Sequence, residues 1–115
     1  VKEEISFKTV VIDGGIFVFA TTKQGIMVGI AEASKLDEKS SSYYFNRLFI
    51  KDDFRGNGYS KILLQKFTEE VDKQKIDIDL AINPYGPLTF EKLKELYESY
   101  GFKEVGENHF LRTHN

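Results

Sequence analysis

Tyr43-Tyr44-Phe45-Asn46-Arg47-Leu48-Phe49-Ile50, followed a few residues later by Arg55-Gly56-Asn57-Gly58-Tyr59-Ser60, is the stretch that decides the fold. The first part is apolar and aromatic and reads as a strand. The second is a glycine-spaced turn that opens a helical run from about Ser60 to Lys73, with Leu63, Leu64, Phe67 and Val71 on one stripe. A strand that ends in such a turn and feeds a helix is a cradle for phosphate. Glycine lets the backbone come close to a ligand. The first N–H groups of a helix have no partner inside it, and they carry the positive end of its dipole.

Outward from this junction, Ile76 to Ile82 alternates apolar and acidic residues and reads as the next strand. Strand, helix, strand implies a right-handed crossover and two parallel strands. Upstream, Phe7–Val11 and Ile16–Phe19 flank Asp13-Gly14-Gly15 as a hairpin, and Ile26-Met27-Val28-Gly29-Ile30 begins a third strand after Lys23-Gln24-Gly25. Lys35 to Ser42 is polar and reads as a loop, as does Asn83-Pro84-Tyr85-Gly86-Pro87, stiffened by both prolines of the chain. A second helix is expected from Phe90 to Tyr100, with Thr89 as N-cap and Gly101 as stop. Glu104–Gly106 and Phe110–Arg112 close the chain as a strand pair around Glu107-Asn108-His109. The expected fold class is therefore α/β (α+β): a mixed, mostly antiparallel sheet with a central parallel pair and two packed helices.

The chain has 115 residues, enough for one domain spanning 1–115. It is 41% hydrophobic with 10 Phe and 6 Tyr, which supplies a core. Sixteen basic residues against 18 acidic ones leave a net charge of −2, and this offers no electrostatic reason to expect nucleic acid. Cysteine is absent, which excludes thiolate nucleophiles and disulfides and suits a reducing cytoplasm. No run is long enough to cross a bilayer, and no secretory leader opens the sequence, so a cytoplasmic protein away from membranes is expected. His109 and His114 do not make a metal site, and none is assigned.

Three phosphate-binding readings compete with a turn that merely needs glycine. A P-loop requires Lys and Ser/Thr directly after its last glycine, whereas Gly58 is followed by Tyr59-Ser60. A dinucleotide fold would place a third glycine where Lys61 stands. The third is an acyl-CoA site. Here the chain resembles the GNAT family, the Gcn5-related N-acetyltransferases. That family's signature is Q/R-x-x-G-x-G/A; Arg55 and Gly58 match it, and Ser60 replaces the final small residue. Leu48 to Phe54 is similar to the strand leading into the signature, and Leu96 to Phe102, with Tyr97 ahead of Gly101-Phe102, to the late helix ending. The resemblance covers about Met27 to Arg112. Family members begin with a strand and two helices that wall the acceptor side. This chain enters a hairpin at once, which leaves that side open or completed by a partner or a second copy, as a homodimer.

The resemblance implies acetyl transfer from acetyl-CoA to an amine acceptor, small or on a protein, without a covalent enzyme intermediate. It implies that the main chain of Arg55, Gly56, Asn57, Gly58, Tyr59 and Ser60 holds the pyrophosphate, with Arg55 and Lys61 adding charge. The pantetheine arm would pair with the edge of Leu48, Phe49 and Ile50, and the Leu48 backbone N–H would polarise the acetyl carbonyl. Asn83 would contact CoA or substrate. From its helix alone Tyr97 reads as a core tyrosine on a stripe with Leu93 and Tyr100. Placed before Gly101-Phe102 it matches the general acid, and a phenol is protonated at neutral pH. The family's strand glutamate falls on Tyr44, which cannot act as that base, so Glu32, Asp52, Asp53 and His109 are alternatives, each also an ordinary surface or turn residue. A degenerate module that binds CoA or a protein without chemistry is the rival expectation.

Overall fold

The computed structural model describes residues 4–39, 41–84 and 88–115. Ser40 and three residues of the expected proline loop, Tyr85, Gly86 and Pro87, lie outside these. Seven strands, β1 (Ile5–Ile12), β2 (Gly15–Thr22), β3 (Met27–Lys35), β4 (Ser42–Ile50), β5 (Asp77–Leu80), β6 (Lys103–Gly106) and β7 (His109–Arg112), form a single sheet in the order β1-β2-β3-β4-β5-β7-β6. Two helices, α1 (Tyr59–Gln74) and α2 (Phe90–Glu98), connect β4 to β5 and β5 to β6, and a short 3-10 turn spans Asp52–Phe54. All pairings are antiparallel except β4–β5, which is the expected parallel pair.

Both helices cover the same face of the sheet. Alternation along β2 sends Ile16, Val18 and Ala20 to that face, where they are fully buried, while Phe17 and Phe19 stack on the opposite face. The stripe read from α1 is the observed one: Leu63, Leu64, Phe67 and Val71 are all fully buried. Phe45 of β4 joins the layers, with its ring edge-on to Phe67 of α1, Tyr97 of α2 and Phe102. The Tyr100 hydroxyl donates to the Lys61 carbonyl at 3.0 Å and ties the turn after α2 to α1. Thr89 caps α2 as expected, accepting from the Lys92 N–H. No helix among the described residues is long and apolar enough to cross a membrane.

The boundaries differ in several places. The strand expected over Ile76–Ile82 is only Asp77–Leu80, and the second helix ends at Glu98 rather than Tyr100. His109, read as a turn residue, opens β7, because Glu107 and Asn108 suffice for the turn with Asn108 at φ 45°. Lys35 and Ser42, assigned to a loop, end β3 and begin β4.

In β3, Gly29 pairs with Ile50 of β4. A Cβ there would stand 2.6 Å from the Phe49 carbonyl oxygen and 2.6 Å from Ile50 Cδ1. Gly29→Ala is therefore expected to lower stability by about 2 kcal/mol through overpacking, read as a fall in thermal midpoint. An unchanged midpoint would mean that the strands can move apart freely.

Candidate active site

The parallel ladder is short. β4 and β5 are in register at Ser42↔Asp77, Tyr43↔Ile78 and Tyr44↔Asp79, and then the two strands separate. Two local features explain the separation. On β4, Glu32 of β3 faces Arg47 while Ala33 faces Phe45, so Asn46 is an extra residue and the strand bulges there. Beyond β5, the Asn108 side chain accepts from the Ile82 N–H at 2.9 Å and donates to the Ile82 carbonyl at 3.0 Å. That clamp draws the chain after Leu80 toward the β6–β7 turn and away from β4. The result is a wedge between the two strands.

A cleft of about 550 Å³ fills the wedge on the helix side, within the usual range for a ligand pocket. Of the residues singled out from the sequence, Leu48, Ile50, Arg55, Gly56, Gly58, Tyr59, Ser60, Asn83 and Tyr97 all line it. Phe49, Asn57 and Lys61 do not. Strand alternation turns the Phe49 side chain to the opposite face. Lys61 is exposed on α1, and the Asn57 amide is spent on the turn, donating to the Phe54 carbonyl at 2.9 Å.

The turn has the geometry of an anion site. Gly56 and Gly58 have φ of 82° and 78°, a region costly for side-chain-bearing residues, and a Cβ at either would meet nothing within 4 Å. The space above the turn is thus open. Gly58 is the N-cap of α1 and supplies no side-chain cap, and the first turn of α1 holds no acidic residue. The helix N-terminus is left to the cleft with its dipole uncompensated by the protein. Arg55 also has a task within the turn. Its Nε donates to the Ile50 carbonyl at 3.0 Å and its guanidinium pairs with Asp52 at 2.8 Å, so it braces the turn against the end of β4.

At the far end of the cleft stands Tyr97, 6% exposed, with its ring against Phe45 and Phe102 at 5.7 and 5.5 Å. Its ring packs in the core, as the helix stripe predicts, and it also lines the cleft. The four acid–base alternatives have separate fates. Asp52 is held by Arg55, Asp53 is exposed on the 3-10 turn, Glu32 is ion-paired to Arg47, and His109 sits 2.8 Å from Asp79. Asn46 and Asn108, which shape the wedge, were not picked out from the sequence. A bulge has no composition signal, and Asn108 is legible only as a turn residue.

A seven-stranded sheet parted at one parallel pair, with an open helix N-terminus at the mouth of the gap, defines an α/β ligand-binding domain whose site lies where the strands diverge. Residues 2–114 match the acetyltransferase (GNAT) domain family, and the chain belongs to that family. Among solved structures, a GNAT acetyltransferase from Staphylococcus aureus MU50 is 21% identical, with a TM-score of 0.69 over 90% of this chain and 70% of that one. The GNAT N-acetyltransferase YhbS from Escherichia coli, in complex with CoA, is 11% identical, with a TM-score of 0.70 over 98% and 83%. The PaiA N-acetyltransferase from Thermoplasma acidophilum, in complex with coenzyme A, is 17% identical, with a TM-score of 0.62 over 88% and 62%. At these identities the likeness establishes the fold. No curated protein matches the chain.

Proposed function

We propose that this domain is an acetyl-CoA-dependent N-acetyltransferase that moves acetyl directly onto an amine, small or protein-borne. One observation carries the reading: a single cleft is lined by the uncapped N-terminus of α1, by the parted edge of β4 and by Tyr97.

The residues fit the proposed donor. An open turn with two glycines at positive φ and a helix dipole suits a diphosphate, so the main chain of Arg55 to Ser60 would hold it, with Lys61 adding charge at the rim. An amide-bearing arm can add to a strand edge, and the stretch Leu48-Phe49-Ile50 lies past the end of the β4–β5 ladder. The Leu48 backbone would polarise a carbonyl lodged there, and Asn83 would contact the ligand from the opposite wall. Acetyl-CoA, when bound, supplies an acyl group activated as a thioester. Tyr97 would then give a proton at the sulfur.

Tyr97→Phe should lower kcat by about tenfold while leaving the affinity for acetyl-CoA unchanged. This is less than the usual contribution of a general acid, because a thiolate is already a fair leaving group. An unchanged kcat would return Tyr97 to the core alone.

The rival, a binding module without chemistry, draws support from the turn between β1 and β2. Only Asp13 and Gly14 connect those strands, so the sheet face away from α1 and α2 has no covering layer among the described residues. Calorimetry with acetyl-CoA, followed by thiol release across a panel of amines, separates the two. Binding with turnover supports the enzyme, and binding without turnover on any amine or peptide supports the module.

A further inference from the structure

The open face of the sheet carries a second pocket, of about 390 Å³. Its titratable lining residues are Tyr44, Asp79 and His109. It shares Leu80 and Ala81 with the main cleft. These two residues lie where β5 leaves β4, so the pockets occupy opposite sides of the same gap in the sheet. These two residues form a wall common to both pockets.

Tyr44 and Asp79 are register partners, while their neighbours Tyr43 and Ile78 are buried on the helix side, so Tyr44 and Asp79 face the second pocket together. Both oxygens of Asp79 are engaged. Oδ2 accepts from the Ser42 hydroxyl at 3.0 Å, and Oδ1 lies 2.8 Å from His109 Nε2. An imidazole held to a carboxylate in this way keeps its proton on Nε2 and presents Nδ1 as a lone pair. His109 Nδ1 has no hydrogen-bond partner among the described residues, and the side chain is 53% exposed.

We propose that His109, oriented by Asp79, accepts the proton of the incoming ammonium, and that the acceptor enters from this open face as an amine on a short apolar stem. The inference rests on the acetyltransferase reading. An ammonium cannot attack an acyl carbon, because its lone pair is bound to hydrogen. Transfer of one proton from nitrogen to Nδ1 yields the neutral amine and an imidazolium, and the Asp79 carboxylate stabilises that charge through Nε2–H. Asp79 is a positioning residue. Leu36, Leu80 and Ala81 make the rest of the pocket largely apolar, which suits a hydrocarbon stem behind the amine.

His109→Gln separates this role from a structural one. With n-butylamine, which is protonated at pH 7, the variant should lose about tenfold or more in kcat/KM. With aniline, which is neutral at pH 7, it should keep the wild-type rate. Equal losses on both acceptors would overturn the proposal. A second readout needs neither acyl donor nor variant: titrating the wild-type protein with n-butylamine should move the NMR ring signal of His109 and leave that of His114 in place. A His109 signal indifferent to the amine would also overturn it. Acetyl-CoA calorimetry on the wild type reports on the main cleft alone. Loss of that binding would therefore sink the acetyltransferase reading and not be confused with failure at His109.

Discussion

Gly58→Glu is expected to weaken acetyl-CoA binding by at least about a hundredfold, which corresponds to roughly 2.7 kcal/mol. Two effects act at this position and can be separated. The first is conformational. Gly58 has φ 78°, and any side chain there raises the energy of the folded chain by about 1–2 kcal/mol. That strain is present with and without ligand, so it lowers stability and not affinity. The second is electrostatic. The substituted carboxylate would stand at the helix N-terminus, where a diphosphate is proposed to sit, and would repel it while also occupying the dipole itself. Two unit charges about 4 Å apart repel by about 4 kcal/mol at an effective dielectric of 20, more than the expected loss. Gly58→Ala isolates the strain: a Cβ at this site meets nothing within 4 Å, so its affinity should stay near wild type while its thermal midpoint falls. If the glutamate variant bound acetyl-CoA as tightly as the alanine one, no anion would be held at this turn.

The second large effect is on stability. Asp72 of α1 receives both arms of the Arg112 guanidinium, at 2.7 and 3.0 Å, and Arg112 also donates to the Tyr100 carbonyl at 2.6 Å. One residue of β7 thus joins α1 to the turn after α2. The Arg112 side chain is only 7% exposed. Asp72→Ala would leave a buried cation without its counter-charge, and a loss of about 3 kcal/mol is expected. Replacing both partners, as Asp72→Ala with Arg112→Met, should recover part of it, because no charge is then left buried. The hydrogen bond from Arg112 is the main cause that holds the Asp72 carboxyl below its ordinary value of 3.8. A carboxyl depressed on folding stabilises the native state above its unfolded pKa and loses that contribution as pH falls through the folded one. The gap between wild type and Asp72→Ala should therefore be full at neutral pH and shrink below about pH 4. Denaturant unfolding at pH 7 and at pH 3 measures both gaps, and a difference independent of pH would show that the pair contributes nothing through its charge.

Much of this arrangement was legible before any coordinates. The apolar stripe of α1, the threonine cap of α2, the hairpin at Asp13-Gly14 and the parallel β4–β5 pair follow from periodicity and turn chemistry. These depend on residues a few positions apart. The glycine turn was legible for the same reason: backbone freedom at Gly56 and Gly58 and the unmet N–H groups of a helix start are properties of a short segment. That Arg55 also braces the turn through Asp52 and the Ile50 carbonyl was not legible, because a list of residue types does not reveal such contacts.

The sequence by itself determined the elements, their order and the glycine turn that opens α1, since hydrophobic period, capping and glycine conformation are local physics. Only the tertiary structure decided where the strands part and what faces the gap. The Asn46 bulge, the Asn108 clamp on Ile82 and the meeting of His109 with Asp79 join residues that are brought together only by the register of the folded sheet. Such pairings depend on which strand lies beside which and on a side-chain period of two, so a shift of one residue would send each of these groups to the other face.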